Sequence, residues 1–159
     1  MSSMRAKRRL IRVLVSAGLA IPLALAGVSF ALPEDHVPQL GDIMAAIQAR
    51  HVKTWYAGKA ANWDLAGFEV RQLEASLVDA AMLYRGIPIS NVTTMATPIH
   101  SLEDAIAAKD VKRFSKAFSE LTAGCNSCHA SMERSFIVIR TPTEEQPFGD
   151  QIFSPQGRP

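Results

Sequence analysis

The residues best able to do chemistry in this chain form one short run, Cys125-Asn126-Ser127-Cys128-His129, which holds both of its cysteines. Cys-x-x-Cys-His is the spacing of covalent c-type haem attachment. On a helix, sulfurs three positions apart share one face and match the two vinyl-derived positions on one side of a porphyrin. The adjacent imidazole of His129 can then turn onto the iron as the fifth ligand, while two thioether bonds prevent haem loss. The expected cofactor is one covalent haem c on Cys125, Cys128 and His129.

Other uses of the same residues fit less well. A structural zinc site takes four ligands, and only His36, His51 and His100 remain to join the two cysteines. A thioredoxin-like redox pair belongs at a strand-to-helix junction, and no strand alternation is visible in this sequence. A disulfide between Cys125 and Cys128 would close a tiny loop and stabilise little.

The sixth iron position decides what such a haem does. Met132 follows His129 by one helical turn and is expected on the proximal side. Candidates from elsewhere are Met44, His51, Met82, Met95 and His100. Met44 and His51, which share one apolar stripe, are the two sixth-ligand candidates carried forward. Methionine on such a stripe is also ordinary core, and histidine an ordinary hydrogen-bonded residue. A His/Met pair raises the reduction potential and suits electron transfer to redox partner proteins. An iron left open or capped by an apolar side chain would instead bind small gases such as nitric oxide. Peroxide reduction has little to support it, since no acid/base residues mark a distal pocket, and no enzymatic activity is expected.

These residues need a helical scaffold, and the apolar periodicity predicts one. Leu40, Ile43, Met44, Ile47, His51 and Trp55 fall at steps that align on one helical face, and the pattern breaks from Gly58 to Asn62. Asn62 reads as an N-cap, with Asp64 in the first turn of a helix whose stripe runs Ala66, Val70, Leu73, Leu77, Ala81, Tyr84. Gly86 and Pro88 close that helix. Residues 87–97 read as turn-rich. Thr97-Pro98 reads as a cap with proline at the first helical position, opening a short third helix with Ile99, Leu102 and Ile106 that ends near Asp110. The fourth stripe is the most regular: Val111, Phe114, Phe118, Leu121, Cys125, Cys128 and Met132 alternate steps of three and four. Gly124 in this helix is expected either to admit the porphyrin to the backbone or to be a simple irregularity. Trp55 and Trp63 are expected to pack on each other or on the haem edge. The fold class is all-α, an antiparallel four-helix bundle with the haem near the C-terminal helix.

Of 159 residues, 48% are hydrophobic, enough for one core and too many for a disordered chain. The net charge of +2 is misleading, because Arg5, Lys7, Arg8, Arg9 and Arg12 cluster at the start without a single acidic residue before position 32. The remainder holds 12 Lys+Arg against 15 Asp+Glu, a mildly acidic domain that offers nothing to nucleic acid. The basic block, the uncharged run from Val13 to Ala31 and the small residues of Ser29-Phe30-Ala31 read as a secretory signal over residues 1–31. Retained uncut, the run is long enough to anchor the chain in a membrane. In both cases the working domain lies outside the cytoplasm, in a bacterial periplasm. Residues 32–140 make the haem domain, and 141–159, holding four of the nine prolines, an extended tail.

A four-helix domain with Cys-x-x-Cys-His on its last helix resembles cytochrome c′. The likeness runs from about Leu40 to Phe136 and is best from Ala105-Ile106-Ala107-Ala108-Lys109-Asp110 through Phe114, Phe118 and Cys125–His129. It implies a monohaem bundle with Cys125 and Cys128 as attachment points and His129 as proximal ligand. In that family the sixth position is often empty, shielded by an apolar side chain and open to nitric oxide or carbon monoxide, and a homodimer can form through helix-one contacts. This chain departs from the family just after the histidine, where Met132 and Glu133 replace an aromatic and a basic residue.

Overall fold

The computed structural model describes residues 37–143 and 151–155, which contain four α-helices and no strand. They are α1 (Leu40–Lys59), α2 (Trp63–Leu83), α3 (Ile89–Ala107) and α4 (Val111–Ser131). The expected signal segment, and with it the question of cleavage or anchoring, lies outside the described residues. No helix among the described residues is long and apolar enough to cross a membrane.

Each helix buries the centre of the stripe that its sequence spacing predicts, although Val111, at the start of the fourth stripe, is exposed because it lies in the first turn of α4. The core joins Ile47 and Ala57 of α1, Val70 and Leu73 of α2, Ile99 and Leu102 of α3, and Phe114, Phe118 and Leu121 of α4. Successive helices run antiparallel. The end of α1 meets the start of α4, where Trp55 stacks on Phe114 and lies 5.0 Å from Phe118, centroid to centroid. At the opposite end, the start of α1 and the end of α4 line one cavity. Trp63 packs edge-on against Phe114, so the two tryptophans converge on the phenylalanines of α4.

Three helices end in the same way, without the glycine that usually allows it. Ala61, Lys109 and Glu133 adopt φ of 55°, 53° and 58°, the left-handed region. Each is the first residue past its helix cap. The next amide in each case reaches back across the last turn: Asn62 to Ala57, Asp110 to Ala105, Arg134 to His129. With the inner bonds to Gly58, Ile106 and Ala130, these are three Schellman motifs. The reversals set the helices side by side, and the liberated Asn62 and Asp110 side chains cap α2 and α4.

Two expectations about boundaries are corrected. Gly58 does not break α1, which continues to Lys59; the glycine is buried against the Phe114 ring, which leaves no room for a methyl group. Residues 89–97 are helical rather than turn-rich, and Pro98 sits inside α3 instead of opening it. Proline removes one helical hydrogen bond, a cost of roughly 3 kcal/mol. Burial of Met95, Ile99, Leu102 and Ile106 on one face running through the proline outweighs it. Gly124 faces α3: a Cβ there would lie 2.8 Å from the Met95 sulfur and 3.7 Å from the Pro98 ring. Its missing side chain thus admits α3.

Outside the helices, Phe153 in residues 151–155 is buried and packs on Tyr56. This end of the expected tail is therefore anchored on the bundle. Residues 144–150 and 156–159 of that tail lie outside the described residues.

Candidate functional site

At the end of the bundle where α1 and α3 begin and α2 and α4 finish, the helices enclose a cavity of about 480 Å³. This is within the range of small-molecule and cofactor sites. Leu40, Met44 and Ile47 line it from α1, Leu77 and Ala80 from α2, Val92 and Met95 from α3, and Ile137 and Ile139 from the segment after α4. The wall is almost wholly apolar. Against it stand Cys125, Cys128 and His129 of α4, together with His51. The sequence motif and both sixth-ligand candidates, Met44 and His51, thus open into a single space. Met82 is exposed on α2 and His100 is exposed on α3, and neither lines the cavity. Met132 does.

Both cysteines are thiols, not joined to each other. Burial pushes the Cys125 thiol up to about 11, with the neighbouring Cys128 charge adding to the shift. Burial also raises Cys128, partly offset by a hydrogen bond with the Asn91 side chain. Among the described residues, no three His, Cys, Asp or Glu side chains converge as a metal-ion site, and His36 lies outside them.

The ring nitrogens of the two histidines are already assigned by their partners. His129 donates its Nδ1–H to the Ile137 carbonyl at 3.0 Å, which leaves Nε2 as the lone pair available to a metal. His51 is 1% exposed and its Nε2 lies 2.9 Å from Thr122 Oγ1. That hydroxyl donates its own proton to the Phe118 carbonyl, so it can only accept from His51, and His51 carries its proton on Nε2. Its Nδ1 is buried without a partner. Burial lowers the imidazole to about 4, which keeps it neutral near pH 7.

The register between α1 and α4 follows from three contacts. Gly58 lies against Phe114, Trp55 against Phe118, and His51 against Thr122. Steps of three and then four residues toward the start of α1 are matched by two steps of four toward the end of α4. Continued for two turns beyond the His51–Thr122 bond, about 10 Å along the bundle axis, this register would set Met44 opposite His129. His51 lies at the depth of Thr122. Met95, level with Gly124, is also deeper than His129.

Sequence reasoning missed two features. Arg50 pairs with buried Glu69 at 3.2 Å, tying α1 to α2. Asn126 bonds both backbone groups of Ile139 at 2.8 Å. The only sequence signal for the first is a charged residue on the α2 stripe, one place before Val70. For the second there is none, because the partner is a backbone. No family model, no curated protein and no solved structure matches this chain.

Proposed function

We propose that this chain is an exported monohaem c-type cytochrome that passes single electrons between redox partner proteins. One haem c is held covalently by Cys125 and Cys128, with His129 Nε2 as proximal ligand. The observation that carries this reading is the wall of the cavity. Two thiols and an imidazole whose Nδ1 is already committed to Ile137 share one side of an apolar space open to a cofactor.

The haem supplies the redox couple when bound, and the chain's residues supply the rest. The two cysteines prevent dissociation. The Ile137 carbonyl fixes the His129 tautomer and increases the basicity of its ring. The apolar lining limits water, one of the means by which a protein sets a haem potential. Arg134, the one formally charged lining residue among the described residues, donates one guanidinium nitrogen to the Met132 and Glu133 carbonyls and would place its charge near the porphyrin carboxylates. Met44 would be favoured over His51 as sixth ligand because the register of α1 against α4 brings it nearer to His129 along the bundle. His51 is two turns deeper, with one nitrogen bound to Thr122. A His129/Met44 pair favours electron transfer over the gas binding that the cytochrome c′ resemblance also implies.

Export rests on the sequence of residues 1–31, and a periplasmic location follows from it. The test is an optical spectrum of protein produced in a host with c-haem maturation. A sharp low-spin ferrous spectrum, unchanged by carbon monoxide, is the expected result. A broad high-spin spectrum that shifts with carbon monoxide would replace electron transfer with gas binding.

A further inference from the structure

Asn126 occupies one of the two spacer positions in Cys-Asn-Ser-Cys-His, positions to which haem attachment assigns no role. Its carboxamide makes two hydrogen bonds to one residue: Ile139 N–H donates to Oδ1 at 2.8 Å and Nδ2 donates to the Ile139 carbonyl at 2.8 Å. A paired contact of this kind fixes both the position and the rotation of the peptide it holds. The amide orientation is dictated, since a backbone N–H must meet the oxygen and a carbonyl the nitrogen.

His129 lies three positions after Asn126, on the same face of α4. Ile137 lies two positions before Ile139, and in an extended chain alternate residues point the same way. The exposures follow the same order: Phe136 and Val138 are exposed at 77% and 73%, Ile137 is less so at 43%, and Ile137 and Ile139 both line the cavity. The two alternate carbonyls therefore face α4 together. One accepts from Asn126, the other accepts Nδ1–H of His129 at 3.0 Å. On its other side Ile137 is tied back by its N–H to the Arg134 carbonyl at 2.8 Å, just beyond the reversal that ends α4. The Ile137 carbonyl is thus held between a turn and the Asn126 clamp.

We propose that Asn126 is the positioning residue for His129: by clamping Ile139 it holds the Ile137 carbonyl as the acceptor of Nδ1–H, and so sets the orientation and donor strength of Nε2. This rests on the reading of His129 as proximal ligand. A hydrogen bond from Nδ1–H gives the ring more imidazolate character, which stabilises ferric over ferrous iron. Loosening the clamp weakens that donor and raises the reduction potential.

The experiment compares the full chain with Asn126→Ala and Asn126→Asp, all purified from a host with c-haem maturation. Redox titration, exchange of the His129 Nδ1 proton by nitrogen-15 NMR in the reduced state, and thermal melting are measured on each. Asn126→Ala is expected to shift the ferric/ferrous equilibrium about tenfold toward ferrous, about 59 mV for one electron, and to speed exchange of the Nδ1 proton. Asn126→Asp keeps the acceptor for Ile139 N–H and loses the donor, so an intermediate shift is expected, and it serves if the alanine variant does not fold. A lowered melting temperature with unchanged potential and unchanged proton protection would overturn the proposal, because Asn126 would then only be bracing the segment. If the wild-type chain carries no covalent haem, the cytochrome reading fails. The same spectra then judge the clamp: lost protection of Nδ1–H supports it, and retained protection overturns it.

Discussion

His51 makes acid the most informative perturbation of this bundle. Its imidazole is 1% exposed, and burial lowers it from 6.5 to about 4. Between those values the unfolded chain binds a proton that the folded chain refuses, so stability falls as the pH falls. The His51 contribution is fully present above pH 6.5, is lost as the pH drops toward 4, and loses nothing more below that. A difference of about 2.5 in pKa corresponds to about 3 kcal/mol, half of it gone near pH 5. Urea unfolding at half-unit steps from pH 7.5 to 4 measures this directly. At an urea dependence of about 1–2 kcal/mol per molar for a domain of this size, the midpoint moves by roughly 2 M. His51→Leu isolates the effect, because every other titrating group is common to both proteins. The variant's profile should be flatter than wild type by about 3 kcal/mol across the range. Parallel profiles would refute the argument, since they would mean that His51 is not held neutral in the fold.

Four further outcomes are expected. Met44→Ala should convert the ferrous protein from low-spin to a high-spin, carbon-monoxide-binding form, whereas His51→Leu should leave the low-spin spectrum in place; the reverse pattern would exchange the two ligand assignments. Thr122→Val removes the acceptor of a buried N–H and should destabilise by roughly 1–3 kcal/mol in chemical denaturation. Gly58→Ala drives a methyl group into the Phe114 ring and should cost about 1–3 kcal/mol, less in a Phe114→Leu background, as read from a double-mutant cycle. Ala61→Gly and Lys109→Gly relieve left-handed backbone and should each raise stability by up to about 1 kcal/mol in thermal melts.

The parts of the fold legible in the sequence are those held by short-range rules. α4 was readable because its apolar steps alternate without interruption, and the start of α2 because Asn62 caps it with its own side chain. The beginning of α3 was hidden by Pro98, a local signal that argues for a helix start. The longer stripe of Val92, Met95, Ile99, Leu102 and Ile106 runs past it and carries the opposite message. The end of α1 falls inside the break from Gly58 to Asn62, but its cause is not legible there, because the reversal uses Ala61 and the nearby glycine serves a different purpose against Phe114. In the candidate site, Cys125, Cys128 and His129 were visible as a spacing, and Met44 and His51 as stripe positions opening into the same cavity. Their relative depth was not visible, because it is set by the register of α1 against α4. The partners of Asn126 and His129 are backbone atoms of a returning segment, which no residue type announces.

The central claim is the covalent haem. Intact mass measurement of the full chain, purified from a host with c-haem maturation and stripped with acidified organic solvent, tests it most directly. The account predicts a polypeptide heavier by one haem in the wild type and a bare polypeptide after Cys125→Ala with Cys128→Ala. A wild-type chain that emerges at its bare polypeptide mass would contradict it.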